Sequence, residues 1–197
     1  MRTGRKRSKK INDRAVGPPH STTLEREMAR APKPRDVRDA CLILEYLIHD
    51  LIAGHQLYDF FVNVGKSVPA NPESEKAVRR MYVSYLLLAL CKLSEFYTHY
   101  KWLIPDSQKS QSKVIEGELN RRGIRRLRNT FIGHILDKET GRPVTDVELN
   151  RAFNTAIDND LGQFLKWVHI SGNVTSPNTV VGALEALHVE LRRLSAK

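Results

Sequence analysis

Apolar residues recur every three or four positions along most of the chain, which is the spacing of one face of an α-helix. The pattern predicts a first long helix over residues 36–64, ended by Gly65. It predicts a second helix over 71–102, because Asn71 followed by a proline and an acid is a favourable helix start. Residues 81–93 are apolar nearly all round, so we expect the second helix to be the central one.

Further helices are predicted in the second half of the chain, at 112–137, 145–159, 160–170 and 179–194. Thr145 and Glu148 have the spacing of a capping box at the start of one of them. We find no internal repeat and no convincing strand pattern. The sequence therefore predicts an all-α fold, a bundle of four main helices with shorter helices around it.

The N-terminal region differs from the rest of the chain in charge. Residues 1–38 hold 12 Lys or Arg and 4 acids, so they supply +8 of the formal net charge of +10. Residues 1–20 are polar and basic and end in Gly-Pro-Pro, so we expect a disordered arm there and one helical domain over 21–197. Such an arm favours polyanions through counterion release, whereas a solvated tail or a targeting signal explains it equally well. The arm residues expected to contact a nucleic acid are Arg5, Lys6, Arg7, Lys9 and Lys10.

The cysteine content and the hydropathy of the chain exclude several classes of protein. Cys41 and Cys91 are the only cysteines, and both lie in apolar helical runs, so we expect two buried thiols in a reducing compartment. No residues have the spacing of a zinc site, a Gly-rich phosphate loop or a Rossmann fingerprint, so no metal and no cofactor are expected. The longest apolar run is far short of a membrane span, and no export signal follows the basic N-terminus. We therefore expect a cytoplasmic protein without a membrane partner.

Candidate chemistry concentrates in the predicted helix over 112–137. Its apolar stripe consists of Ile124, Leu127, Phe131 and Ile135. Two basic stripes at helical spacing are formed by Arg121, Arg125 and Arg128 and by Arg122 and Arg126. We expect four of these arginines to bind RNA, namely Arg121, Arg122, Arg125 and Arg126, whereas a solvated basic face without that role is the alternative. Arg128, Asn129 and His134 lie where the apolar and basic faces meet.

The segment Arg128-Asn129-Thr130-Phe131-Ile132-Gly133-His134 resembles the active-site motif of the HEPN-domain ribonucleases. In that family an arginine, a polar residue and then a histidine lie on one helix of an α-bundle. The resemblance spans roughly residues 36–170 and is specific only at 128–134. It implies a HEPN-like bundle, RNA as substrate, catalysis without metal, and a homodimer whose two motifs pair across the interface. It also implies a toxin or anti-phage effector, with an inhibitor or sensor protein as a further partner.

The residue types suit cleavage of RNA by its own 2′-hydroxyl, which leaves a 2′,3′-cyclic phosphate and a 5′-hydroxyl. His134 exchanges a proton near neutral pH, because the pKa of a free histidine is about 6.5. Arg128 stays charged and binds two phosphate oxygens as negative charge accumulates. Asn129 orients His134 or holds a phosphate oxygen. On an ideal helix Arg128 and His134 point about 120° apart, which favours a site completed by a second copy.

Two details limit the resemblance. Leu136 stands two residues after the motif histidine, where some HEPN toxins carry a tyrosine that a partner nucleotidyltransferase adenylylates, so control by that route is not implied. The Arg-to-His spacing of the motif also occurs at Arg14 and His20, but the intervening Gly-Pro-Pro prevents a helix there. The setting of residues 128–134 on an arginine-rich amphipathic helix therefore carries the interpretation, and the bare spacing does not.

Other residue groups have simpler interpretations. Three pairs at i,i+4 spacing suit hydrogen bonding on a helix better than metal binding, since a di-metal bundle needs about four inward carboxylates. The pairs are Glu45 with His49, His55 with Asp59, and Glu95 with His99. A cluster of aromatic side chains, which either stack on bases or close one end of the bundle, consists of Tyr97, Tyr100 and Trp102.

A different class of function also fits the sequence. A non-catalytic helical module that binds nucleic acid or a protein partner would use the same fold and the same basic arm. A sequence-specific DNA-binding protein is disfavoured, because no helix-turn-helix with its short turn stands out. No nucleophile-elbow motif supports Ser/His/Asp catalysis.

Overall fold

The computed structural model describes residues 33–65, 71–127, 141–143, 145–170 and 176–195. These residues belong to one compact unit and form helices, and none of them lies in a β-strand. The all-α prediction is therefore confirmed. The predicted arm at 1–20 and the domain boundary after it lie outside the described residues and stay predictions.

The bounds of the helices follow the apolar pattern closely. In chain order they are α1 (Pro34–Gly65), α2 (Pro72–Tyr100), α3 (Asp106–Arg121), α4 (Ile124–Leu127), α5 (Asp146–Ala156), α6 (Leu161–Val168) and α7 (Val180–Ser195), with a 3-10 turn, Lys101–Leu103, after α2. The helices predicted over 36–64, 71–102, 145–159, 160–170 and 179–194 are confirmed to within a few residues at each end.

The core is an apolar layer formed by α1, α2 and α7. Helix α1 packs mainly against the other two, and α2 in turn contacts α3 and α4. The layer is filled by fully buried leucines, among them Leu44, Leu51, Leu86, Leu90, Leu184 and Leu187. Gly54 allows α2 to approach α1 closely, because a Cβ at this position would lie 2.5 Å from Cδ2 of Leu86. Removal of these apolar side chains from water is the main force that holds the three helices together.

The helix predicted over 112–137 differs from the one observed. It begins at Asp106, six residues earlier, where an acid paired with Lys109 in the first turn stabilises the helix start. It also breaks at Arg122 and Gly123, and α4 begins again at Ile124. Gly123 has a φ of +64°, a left-handed conformation that glycine adopts without the strain of a side chain. The prediction of one continuous helix is therefore wrong as far as residue 127, and its predicted part over 128–137 lies outside the described residues.

Side-chain caps start α5 and α6 where the sequence places them. The Thr145 hydroxyl accepts from the backbone N–H of Glu148, and the Glu148 carboxylate accepts from the backbone N–H of Thr145, so the predicted capping box is confirmed. Asp160 caps α6 by accepting from the backbone N–H of Gln163 at 2.9 Å. Two left-handed residues, Asp158 and Asn159, turn the chain between these helices.

The two cysteines are both free thiols but differ in burial. Cys91 is buried, and its thiol donates to the Ile124 carbonyl at 3.2 Å, which joins α2 to α4. Cys41 is only partly buried, so the expectation of two buried thiols is confirmed for Cys91 and wrong for Cys41. Among the described residues, no helix has the length and apolar character needed to cross a membrane.

Candidate functional site

The predicted catalytic residues Arg128, Asn129 and His134 lie outside the described residues, so their roles stay predictions. The same holds for the basic arm residues, Arg5, Lys6, Arg7, Lys9 and Lys10. Of the arginines before the motif, Arg121, Arg122 and Arg125 have described side chains. These three show what surrounds the chain immediately before the motif.

Arg121 closes an ion-pair network at the end of α3. Its guanidinium donates to both carboxylate oxygens of Glu118, with the shortest contact at 2.8 Å, and to both oxygens of Asp158, with the shorter contact at 3.0 Å. Hydrogen bonds from Arg121 hold the pKa of Glu118 and of Asp158 below their usual values. The charge of Arg121 is thus largely matched by two carboxylates, although its side chain is half exposed.

Arg122 is buried, with 7% of its surface exposed. Its Nη1 donates to the Ala156 carbonyl at 3.0 Å, and its Nε donates to Glu118 at 3.3 Å. The guanidinium lies over the Trp167 ring, 4.6 Å from its centroid, a distance typical of a cation–π contact. Burial lowers the pKa of Arg122. The donors of Arg122 face the protein interior, and its expected contact with RNA stays a prediction.

The residues Glu118, Arg121, Arg122, Asp158 and Trp167 form one group, named here the arginine cluster. It links the end of α3 to the turn after α5 and to α6. The arginine cluster therefore fixes the position at which the chain leaves α3 and enters α4. Arg121 and Arg122, two of the arginines that the sequence pattern assigned to nucleic-acid contact, thus have a structural role in this cluster.

Arg125 lies on the surface, and its expected contact with RNA stays a prediction. It is exposed on α4 and donates to the Thr98 hydroxyl at 3.3 Å. This contact and the hydrogen bond from the Cys91 thiol to the Ile124 carbonyl hold α4 beside α2. Of the three described arginines before the motif, Arg125 is the one whose guanidinium stays available to a phosphate. The side chain of Arg126 lies outside the described residues.

A polar groove that the sequence analysis missed runs along the outer face of α5. It is an open groove with a volume of about 530 Å³, within the range of ligand-binding clefts. The six side chains that line it are Val147, Asn150, Arg151, Asn154, Thr155 and Asn159. Asn159 joins the others because its left-handed backbone turns back over the helix end, and its N–H donates to the Asn154 carbonyl at 2.8 Å. The signal in the sequence was the helical spacing of Asn150, Asn154 and Arg151, which periodicity of apolar residues does not detect.

An exposed apolar face extends over α1 and α2. Asp50 of α1 accepts from the Tyr85 hydroxyl at 3.0 Å and from Lys92 at 2.9 Å, so these side chains mark where the two helices meet at the surface. Large exposed apolar side chains at helical spacing from these three residues extend the face, and they are Leu42, Tyr46, Met81 and Leu88. We name this surface the α1–α2 face. Patches of this kind on a helix pair are typical of protein interaction sites.

The histidine pair and the aromatic cluster that the sequence singled out make ordinary packing contacts within the fold. The His55 imidazole lies 3.4 Å from the Asp59 carboxylate and packs edge-on against His169, with ring centroids 5.4 Å apart. Tyr97 is buried and Tyr100 stacks on Phe96, so closure of the bundle end explains the aromatic cluster. Within the described ranges, no group of three or more His, Cys, Asp or Glu side chains is arranged to hold a metal ion.

Comparisons with known proteins give a fold and no function. No family model matches the chain, and no curated protein matches it. The chain is similar in structure to the integron cassette protein Vpc_cass2 from the mobile metagenome of V. paracholerae, with a TM-score of 0.68. The similarity covers 83% of this chain and 99% of the cassette protein at 20% sequence identity. The name of that protein records the genetic element that carries it, and the similarity supports the helical architecture alone.

Proposed function

We propose that this protein is a metal-independent endoribonuclease of the HEPN type that acts as a homodimer. The observation that carries the proposal is the sequence Arg128-Asn129-x4-His134, which follows directly after α4. The arginine cluster supports it, because it anchors the chain on the N-terminal side of the motif with contacts from two other helices. Such anchoring is what a cleavage site needs, since small displacements of reacting groups cost large factors in rate.

The proposed reaction uses the substrate as its own nucleophile. The 2′-oxygen of a ribose attacks the adjacent phosphorus, the bond from phosphorus to the 5′-oxygen breaks, and the products are a 2′,3′-cyclic phosphate and a 5′-hydroxyl. A neutral His134 accepts the proton of the 2′-hydroxyl, and a protonated His134 of the second copy donates one to the departing 5′-oxygen. Arg128 binds the phosphate oxygens as their negative charge increases, and Asn129 orients His134 or holds one of these oxygens.

The α1–α2 face supports the homodimer. Helix α4 packs against α2 through Cys91 and Thr98, and α2 also contributes Met81, Tyr85 and Leu88 to this face. A two-fold axis through the face would relate the α4 helices of the two copies to each other. The motif follows α4 in the sequence, so this arrangement suits a site shared between two copies.

One observation favours a second candidate function. The α1–α2 face is apolar and aromatic, with Tyr46 as much as 61% exposed, and such a face also suits a different protein partner. A non-catalytic helical module would use the face for that partner and the basic arm for nucleic acid. A biological role as a toxin or an anti-phage effector belongs to the ribonuclease proposal and rests on the resemblance of the motif.

The proposal is tested by incubating the full chain with RNA in EDTA, beside His134→Ala and Arg128→Ala. We expect cyclic-phosphate ends from the parent protein and a loss of cleavage of at least about a hundredfold in either variant, as expected for a lost acid–base group. The matched controls are His99→Ala and Arg193→Ala, which change an exposed histidine and an exposed arginine elsewhere. Equal cleavage by parent and variants would show that a contaminant or another site cleaves the RNA. RNA binding without any cleavage would favour the non-catalytic module.

The homodimer is tested separately with Tyr46→Glu, which places a charge in the α1–α2 face without disturbing the core. We expect the variant to elute as a monomer in size-exclusion chromatography and to lose cleavage. The matched control is Val189→Glu on α7, where the replaced side chain is 49% exposed and outside the face. A Tyr46→Glu protein that stays dimeric would show that the interface lies elsewhere.

A further inference from the structure

The groove on α5 has the chemistry of a site for a polar, anionic strand. Three carboxamides, from Asn150, Asn154 and Asn159, line it together with one guanidinium, from Arg151. Each carboxamide offers two N–H donors and an acceptor, which match phosphate oxygens, ribose hydroxyls and the edges of bases. Val147 is 67% exposed at one end and offers a flat apolar contact.

The charges around the groove favour an anion. The carboxylate of Glu148 is paired with Arg142 and with the start of α5, and the carboxylate of Asp158 is paired with Arg121. Among the described residues that line the groove, none carries a carboxylate and Arg151 is the one that carries a positive charge. The carboxylates of Glu148 and Asp158 are therefore offset by arginines, that of Asp160 accepts from the backbone N–H of Gln163, and Arg151 adds a positive charge to the groove.

The length of the groove suits a short stretch of single strand. Five of its lining residues span Val147 to Thr155, a rise of about 12 Å along the helix at 1.5 Å per residue. A nucleotide strand advances by roughly 3.4 Å per residue when its bases are stacked, so about three nucleotides fit. The groove is open along its side, which suits a strand that passes through it better than a small molecule that must be enclosed.

The groove is fixed to the start of the motif-bearing segment. Arg122 holds the Ala156 carbonyl at the end of α5, and Arg121 holds Asp158 in the turn that follows. Helix α4 also contacts α5. We propose that the α5 groove binds the single-stranded RNA beside the bond to be cleaved, with Arg151 on a phosphate and the asparagines on neighbouring sugars and bases. This inference rests on the proposed ribonuclease function.

The test measures binding in a background that does not cleave. Full-length His134→Ala is titrated into a fluorescein-labelled single-stranded RNA of twelve nucleotides, with and without the added pair Arg151→Ala and Asn154→Ala. Binding is followed by fluorescence anisotropy at several salt concentrations. We expect the pair to weaken binding by at least about tenfold, the factor for one lost charge-assisted contact. The slope of log affinity against log salt should fall by about 0.7, the value for one phosphate contact on a single strand.

A matched control pair, Arg192→Ala and Asn178→Ala, removes the same chemical groups from exposed positions at the two ends of α7. It should leave binding within about twofold of the His134→Ala background. In the cleaving protein, the groove pair should raise KM and leave kcat nearly unchanged, because it removes binding common to the substrate and the transition state. Unchanged binding with the groove pair would overturn the inference. Equal weakening for duplex RNA, or for DNA of the same sequence, would overturn the assignment to single-stranded RNA.

The groove and the ribonuclease proposal can fail separately. If the parent protein does not cleave but the groove pair still weakens RNA binding, the groove stands and the ribonuclease function falls. If the parent cleaves and the groove pair changes neither KM nor binding, the ribonuclease stands and the groove falls. If the protein does not bind the single-stranded RNA at all, the groove assignment is wrong.

Discussion

The apolar layer of α1, α2 and α7 and the arginine cluster are held together by different forces. The apolar layer is filled by leucines with no exposed surface, and any side chain of similar shape and volume would fill it. The arginine cluster depends on directional contacts, such as the bond from Arg122 to the Ala156 carbonyl and its position over Trp167. The first region therefore sets most of the stability of the fold, whereas the second fixes the chain at the break between α3 and α4.

The largest expected effect comes from the apolar layer. Leu90→Ala should lower the free energy of unfolding by about 2–5 kcal/mol, because it removes buried methyl groups and leaves a cavity. Leu194→Ala on α7 is the matched control, since Leu194 is 45% exposed and lies outside the α1–α2 face, so its loss should cost under about 1 kcal/mol. Urea unfolding followed by circular dichroism measures both. Equal costs for the two leucines would contradict the packing described for α2.

The second-largest loss of stability is expected from substitutions in the arginine cluster. Arg122→Met keeps the apolar contact with Trp167 but leaves the Ala156 carbonyl without its donor, so unfolding should become easier by about 1.5–3 kcal/mol. Arg121→Met removes only the half-exposed ion pairs with Glu118 and Asp158 and should cost at most about 1 kcal/mol. Thermal melts of the two adjacent variants, run at one salt concentration, make the comparison. A larger loss from Arg121→Met than from Arg122→Met would show that the exposed pairs dominate.

Substitution of two glycines in and just after α3 should change the free energy of unfolding in opposite directions. Gly123→Ala places a side chain at a φ of +64° and should destabilise the protein by about 1–2 kcal/mol. Gly117→Ala lies inside α3 with nothing within 4 Å of the new Cβ, so it should stabilise by about 0.5–1 kcal/mol. Chemical denaturation of both variants shows whether each one raises or lowers the free energy of unfolding. A stabilising Gly123→Ala would mean that α3 runs on into α4 without the break.

The smallest expected effect is a dependence on pH where α6 meets α1. Burial lowers the pKa of His169 below 6.5, and the neighbouring His55 lowers it further. The unfolded chain then binds more protons, so the stability from a neutral His169 is present above pH 6.5 and is lost as the pH falls towards the lower pKa of the folded state. The Tm should therefore decrease between about pH 7 and pH 5, in the range where histidine titrates. The decrease should be smaller in His169→Gln and unchanged in His99→Gln, which alters an exposed histidine. A steeper decrease of the Tm with falling pH in His169→Gln would contradict the expected direction of the His169 contribution.

The sequence predicts the two regions to different extents for physical reasons. The helices of the apolar layer were predicted to within a few residues, because burial imposes a period that a single sequence displays. The capping box of Thr145 and Glu148 was also readable, since its partners are three residues apart. The break at Gly123 was missed because glycine is tolerated inside a helix at a cost of only about 1 kcal/mol.

Burial of Arg122 was also missed, and for a related reason. Its aromatic partner Trp167 is 45 residues further along the chain, so periodicity within one helix carries no sign of the contact. The groove on α5 was overlooked because its polar residues resemble an ordinary solvated face. The motif itself needs no structure to be recognised, and its residues 128–134 lie outside the described ranges.

The contact between α1 and α7 has a consequence for how the chain acquires its fold during synthesis. Helix α1 packs mainly against α2, its neighbour in sequence, and against α7, whose first residue is more than a hundred positions further on. The α1–α2 hairpin can therefore form early, but its second apolar surface stays open until residues 180–195 have left the ribosome. The nascent chain thus exposes the apolar side of α1 through most of translation, and closure by α7 is the step that completes the domain.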